Sequence, residues 1–97
     1  MEDKILTLHP DSKEGVNISR AKYDQIRTAM LAAFEMEGEL LFKELPAAVE
    51  VYFDVPFEGS LGWYVTTVKL DLEARGLIER VHGSRPQRLR LVQQSAA

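Results

Sequence analysis

The sequence predicts one small α+β domain in which three helices precede a two-stranded hairpin. Apolar residues recur at steps of three and four over residues 20–36 and again over 61–72, which is the spacing of a single helix face. Arginine and leucine alternate over 88–91, as is typical of a half-buried strand. A chain of 97 residues can bury one modest core and is too short for two domains.

The first 19 residues are predicted to form either a small hairpin or an extended arm. Residues 4–9 favour a short strand, residues 10–15 have the composition of a turn, and residues 16–18 can pair back. The apolar side chains of this segment are candidates for extending a sheet or for pairing with another chain. Three of them are predicted interface residues: Ile5, Leu6 and Leu8.

The first helix is predicted over residues 20–36. Ser19 suits the N-cap because its hydroxyl can accept a free amide hydrogen of the first turn. Gly38 suits the left-handed residue that ends a helix. The second helix is expected to begin at 43–45, because Pro46 is tolerated only in a first turn.

The third helix is predicted to follow Ser60 as its N-cap and to end at Gly76. Its exposed face is expected to carry Trp63, Thr66, Thr67, Lys69 and Leu70. Two oppositely charged pairs are spaced four residues apart and are expected only to support the helix: Lys69 with Glu73, and Asp71 with Arg75.

The C-terminal segment is predicted to be a β-hairpin. Residues 77–82 and 88–92 are the expected strands, and residues 83–87 contain the glycine, serine and proline of a turn. The domain organisation is therefore an N-terminal arm at 1–19, a folded domain at 20–92 and a frayed tail at 93–97.

The net charge of −3 conceals an asymmetry along the chain. Residues 1–58 carry twelve acids and six bases, whereas residues 59–97 carry three acids and six bases. Such asymmetry indicates an anionic partner, although an acidic protein with a solvated basic edge has the same composition. Five of the seven arginines lie in the basic stretch: Arg75, Arg80, Arg85, Arg88 and Arg90.

Composition argues against several classes of function. The absence of cysteine excludes disulfides and thiolate chemistry and favours a reducing compartment, so we predict a cytoplasmic location. No apolar run approaches the roughly 18 residues of a membrane span, so no membrane partner is expected. His9 and His82 have no obvious third ligand, and no phosphate-binding glycine loop is present. We therefore expect no enzymatic activity, metal or cofactor.

Two segments carry a resemblance to a known fold. TTVKLDLEARGLIERV (66–81) with QRLRL (87–91) resembles a recognition helix that continues into a wing, and LLFKEL (40–45) resembles the entry to the second helix. Residues 20–92 are thus similar to a winged helix-turn-helix domain. The chain also resembles a group of small uncharacterised bacterial proteins, whose pattern matches LTLHP and GVNI within 6–18 and GWYVTTVKLDLEARG at 62–76.

The winged-helix resemblance implies DNA binding, with the N-terminal half of the third helix in the major groove. The exposed helix face has no arginine, asparagine or glutamine for bidentate base readout, so specific readout per monomer is weak. We therefore predict a small, transcription-regulator-like DNA-binding module that acts as a homodimer. The predicted DNA contacts are Ser60, Trp63, Thr66, Thr67, Lys69, Arg85, Arg88 and Arg90.

The alternative is a winged helix used for protein interaction or as a homodimer scaffold. The acidic pI near 5.3 favours it, and so does Trp63, because tryptophan is enriched at protein interfaces. Trp63 is therefore also a predicted interface residue. A continuous positive face over the third helix and wing would favour DNA, whereas a contiguous apolar patch around Trp63 would favour a protein partner.

Overall fold

The computed structural model describes residues 3–93, which contain three α-helices, one 3-10 turn and five short strands. The predicted α+β fold is confirmed. The predicted tail at 93–97 lies, apart from Gln93, outside the described residues. In chain order the elements are β1 (Lys4–Leu6), β2 (Asn17–Ser19), α1 (Arg20–Glu37), β3 (Glu39–Leu41), the 3-10 turn (Phe42–Glu44), α2 (Leu45–Glu50), α3 (Leu61–Ala74), β4 (Ile78–Arg80) and β5 (Arg88–Leu91).

α1 begins and ends at the predicted signals. The Oγ atom of Ser19 accepts a hydrogen bond from the backbone N–H of Lys22 at 3.3 Å, which caps the first turn. Gly38 follows the helix with a φ of 81°, a left-handed conformation that glycine adopts without steric cost. Its N–H donates to the carbonyl of Phe34 at 2.8 Å and so closes the last turn.

α2 and α3 form the second half of the helical layer. The 3-10 turn leads into α2, and Pro46 lies in the first turn as predicted. Ser60 occupies the N-cap position of α3, but its side chain makes no capping hydrogen bond to the described residues, so the predicted role of its hydroxyl is wrong. The apolar stripe of α3 is fully buried at Val65, Val68 and Leu72.

β3, β5 and β4 form an antiparallel sheet in that spatial order. Leu40 of β3 lies opposite Leu89 of β5, and Ile78 of β4 lies opposite Leu91. The strand that follows α1 therefore pairs with the second strand of the C-terminal hairpin. This order is compatible with the layout of a winged helix, in which the hairpin is the wing.

The N-terminal segment is a hairpin, which settles the choice between a hairpin and an arm. β1 and β2 pair antiparallel, with Ile5 opposite Ile18. Ile18 is buried and Ile5 is half-buried against the same core. Within residues 3–93 this hairpin is a separate two-stranded sheet, so the expectation that it extends the larger sheet is wrong.

The apolar core lies between the helices and the inner side of the three-stranded sheet. Across residues 3–93, no helix combines the length and the apolar composition that crossing a bilayer requires. The largest fully buried apolar side chains come from all three helices and from the sheet: Phe34, Ile26, Met30, Leu45, Leu72, Ile78, Leu89, Val49, Val65 and Val68.

Candidate interaction surface

α3 exposes its first turn more than its second. Ser60 is exposed, and 48 % of the Trp63 surface is in contact with solvent. Thr66, Thr67 and Leu70 are only half-buried rather than exposed. The predicted outer face is therefore confirmed at Trp63, whereas the next turn of the helix is less exposed than predicted.

Lys69 lies inside the protein, so the prediction that it is exposed on α3 is wrong. Only 2 % of its surface is accessible, and its Nζ atom lies 3.0 Å from Oε1 of Glu73. The same atom lies 4.8 Å from the centre of the Phe42 ring. Burial lowers the pKa of Lys69, because the ammonium group loses its hydration. In this position Lys69 cannot contact a DNA phosphate.

The arginines of the C-terminal third mostly face carboxylates. Nε of Arg90 lies 2.8 Å from Oε2 of Glu79 on the neighbouring strand. Local pairing of this kind reduces the positive potential that a surface presents to an anionic ligand. The basic stretch is therefore largely balanced by nearby acids and is not a continuous positive face. The other pairs are Arg75 with Asp71, Arg80 with Glu73 and Arg88 with Glu39.

Arg85 differs from these four residues. It is exposed in the turn between β4 and β5, at the tip of the hairpin. Within residues 3–93 it forms no ion pair with a carboxylate. Arg85 is thus the arginine of this hairpin that no described carboxylate neutralises.

Four aromatic side chains form a row from the α2–α3 connection to the first turn of α3. The ring centres of Phe53 and Phe57 lie 5.8 Å apart, and Phe57 lies 5.1 Å from Tyr64. Trp63 ends this aromatic row, edge to face with Tyr64 at 4.9 Å. Rings at these separations attract one another, so the contact with Tyr64 stabilises the position of the Trp63 indole. Trp63 is its exposed end, while the other three rings are half-buried.

Acidic side chains accompany the aromatic row. Glu50 ends α2, and Asp54 and Glu58 lie in the connection that supplies two of the aromatic rings; all three are exposed. One cation is close, since Nζ of Lys22 lies 5.3 Å from the centre of the Tyr64 ring. The segment 50–58, which supplies Phe53 and Phe57, therefore carries three acids and no lysine or arginine.

Asp71, expected from its spacing to Arg75 only to support the helix, is a buried carboxylate. None of its surface is accessible. Its Oδ1 atom accepts a hydrogen bond from the backbone N–H of Leu8 at 2.8 Å. Its Oδ2 atom accepts two more, from the Nε–H group of Arg75 at 2.8 Å and from the hydroxyl of Tyr23. Burial, together with the hydrogen bond to Asp71, raises the pKa of Tyr23 to about 12. Asp71 thus connects α3 to α1 and to the N-terminal hairpin.

The predicted interface residues of the N-terminal segment divide into two groups. Ile5 packs against the core, whereas Leu6 and Leu8 are exposed. Leu8 also lines a cleft of about 70 Å³ together with Thr67 and Leu70 of α3. The loop that follows β1 therefore lies on the outer side of α3, which explains why Thr67 and Leu70 are half-buried.

The structure is a small α+β domain, compatible with a winged-helix layout, with an exposed aromatic row and a C-terminal hairpin whose arginines mostly pair with carboxylates. The model of DUF6958, a family of unknown function, matches residues 4–89, and the chain belongs to this family. The predicted resemblance to a group of small uncharacterised proteins is thereby confirmed. Searches of curated proteins and of solved structures found no significant match.

Proposed function

We propose that this domain is a protein-interaction winged helix, which binds a partner segment at the aromatic row. The observation that carries the proposal is the half-exposed Trp63 at the end of a line of ring contacts. A half-exposed tryptophan whose ring is held edge to face by Tyr64 loses little rotamer freedom on binding. Residues of this kind are the usual energetic centres of protein interfaces.

The charges on the segment that supplies Phe53 and Phe57 indicate the partner's chemistry. Glu50, Asp54 and Glu58 are exposed, and they outnumber the ammonium group of Lys22. Complementary charge speeds association and suppresses wrong partners. We therefore expect an apolar segment that carries lysine or arginine.

A phage-displayed library of random peptides tests this proposal. Selected peptides should combine apolar and basic residues, and calorimetry should show binding that Trp63→Ala weakens at least about 30-fold. Met36→Ala is the matched control, because Met36 is also an exposed apolar residue but lies at the far end of α1. Peptides that bind the unchanged protein and Trp63→Ala equally well would refute the proposal, as would a failure to enrich any peptide.

DNA binding by α3 and the wing is the second candidate. It is favoured by the strand order β3-β5-β4 and by Arg85, which forms no ion pair within the described residues.

Fluorescence anisotropy with a random-sequence duplex measures the affinity of the domain for DNA. Each phosphate contact contributes about −0.9 to the slope of log affinity against log salt concentration. Arg85→Ala removes one such contact and should therefore make the slope shallower by about 0.9. Arg90→Ala, which removes an ion-paired arginine, should change it less. Absence of salt-sensitive binding in dilute buffer would end this candidate.

The homodimer, the cytoplasmic location and the absence of enzymatic activity stay predictions. Sedimentation that shows only an 11.0 kDa species at high concentration would exclude the homodimer.

A further inference from the structure

A groove of about 440 Å³ lies between the outer face of α1 and the residues that follow α2. Its lining is mostly apolar. Three alanines keep the wall on the side of α1 low: Ala21, Ala29 and Ala32. The opposite wall is formed by larger apolar side chains: Tyr52, Phe53 and Val55. A groove of this size and lining can receive the apolar part of a partner's side chain.

The wall that follows α2 is held in place in the free protein. The amide Nε2 of Gln25 on α1 donates to the backbone carbonyl of Val55 at 3.3 Å. The N–H of Phe53 donates to the carbonyl of Glu50 at 3.2 Å, and the Phe53 side chain packs against the core. Because both contacts exist without a ligand, the groove is preformed.

Two carboxylates line the groove, and neither is neutralised. Asp24 and Asp54 are both exposed, and within residues 3–93 neither forms an ion pair. No lysine or arginine is among the described lining residues. A lysine or arginine side chain complements this lining, because its apolar stem suits the walls and its cationic head suits the carboxylates.

The groove continues the aromatic row, since Phe53 belongs to both. The ring-to-ring distances along the row are 5.8, 5.1 and 4.9 Å, so the centres of Phe53 and Trp63 lie no more than about 16 Å apart. An extended chain rises about 3.3 Å per residue, so about five residues span this distance. One short segment can therefore contact Trp63 and the groove together.

We propose that the groove binds the basic side chain of the partner segment whose apolar anchor packs on Trp63. The identity of the partner rests on the proposed function, and the groove adds the site of the cation and its spacing. Peptides that bind through Trp63 should carry a lysine or arginine within about five positions of their apolar anchor.

Hexylguanidinium tests the groove without any peptide, because it combines the apolar stem and the cationic head of such a side chain. Methyl NMR of the whole protein should show saturable shifts at Ala32 and Val55 with an affinity in the millimolar range. Hexanoate is the matched control ligand, since it keeps an apolar stem but carries a carboxylate. It should produce no saturable shift at these methyl groups.

The carboxylates are tested by two double variants. Asp24→Asn combined with Asp54→Asn should weaken hexylguanidinium binding about 5- to 30-fold. Glu35→Gln combined with Glu37→Gln removes the same charge from the exposed C-terminal end of α1, and it should change the affinity by less than about twofold. All four positions are exposed, so the variants are expected to fold.

Three results would overturn the assignment of the groove: no saturable shift up to about 50 mM hexylguanidinium, equal binding of hexanoate, or equal losses in the two double variants. Trp63→Ala should leave hexylguanidinium binding within about twofold, because Trp63 does not line the groove. Groove binding without any peptide that depends on Trp63 would refute the proposed function and leave the groove as a site for a basic side chain. Peptides that depend on Trp63, without groove shifts, would refute the groove site alone.

Discussion

The carboxylate of Asp71 accepts a hydrogen bond from the hydroxyl of Tyr23, and both side chains lie in the interior. The two residues are 48 positions apart in the chain, so this bond joins the last turn of α3 to the first turn of α1. A carboxylate without access to water requires donors for its lone pairs, and Leu8 and Arg75 supply the others. This arrangement makes Asp71 a central polar contact of the fold.

Replacing Asp71 with asparagine should therefore destabilise the protein. The amide has one acceptor oxygen in place of two and no charge to balance Arg75, so at least one buried donor loses its partner. We expect Asp71→Asn to reduce the free energy of unfolding by about 2–4 kcal/mol, as measured by urea denaturation. Glu50→Gln, at an exposed position on α2, is the matched control and should change stability by less than about 0.5 kcal/mol. A loss as small as that of the control would show that Asp71 is not a central contact.

The phenol of Tyr23 should make stability depend on pH in the alkaline range. Folding raises its pKa from 10.0 to about 12, so the folded state favours the protonated phenol. The stabilisation is complete below about pH 10 and is lost as the pH rises through about 12. The stability difference between the unchanged protein and Tyr23→Phe should therefore shrink over this range. Urea denaturation at several pH values measures it, and a constant difference would contradict the prediction.

Spectrophotometric titration checks the same pKa directly. The chain has three tyrosines, and the difference between the titration curves of the unchanged protein and Tyr23→Phe isolates one of them. That difference should be centred near pH 12 in the folded protein and near 10 in urea.

The helices and the C-terminal hairpin were predictable because their signals are local. The buried stripe of α1 follows from the spacing of Ile26, Met30 and Phe34 in one segment, and its ends follow from Ser19 and Gly38. Each of these features involves residues within a few positions of one another, where helix geometry alone fixes which side chains share a face.

The burial of Lys69 and Asp71 was not predictable in the same way. Both residues flank the apolar stripe of α3, and the sequence pattern alone assigns such flanking charges to solvent. Their burial depends on distant partners: Phe42 lies over Lys69, while Tyr23 and Leu8 donate to Asp71. The loop between β1 and β2 likewise places Leu8 on α3 across 63 positions of sequence, which no helical periodicity can reveal.

Lys69 and Glu73 should respond unequally to substitution. Lys69→Met keeps an unbranched apolar chain over Phe42 and leaves Glu73 with Arg80 at 3.6 Å, so we expect a loss below about 1.5 kcal/mol. Glu73→Leu leaves the buried ammonium group of Lys69 without its carboxylate and should cost about 3 kcal/mol or more. Urea denaturation of the two variants measures the difference. Equal losses would mean that the pair acts through packing alone.

Gly15 and Gly62 offer a matched pair of substitutions that separates steric conflict from helix propensity. A Cβ at Gly15 would lie 1.7 Å from the carbonyl oxygen of Thr7, and backbone must move to relieve that contact. We expect Gly15→Ala to cost about 1–3 kcal/mol in thermal or urea denaturation and to weaken the Leu8–Asp71 bond, since Thr7 and Leu8 are neighbours. A Cβ at Gly62 meets no atom within 4 Å, so Gly62→Ala should be neutral or should stabilise α3 by up to about 1 kcal/mol. If Gly15→Ala were as well tolerated as Gly62→Ala, the loop between β1 and β2 would not have the closed form in which Gly15 packs on Thr7.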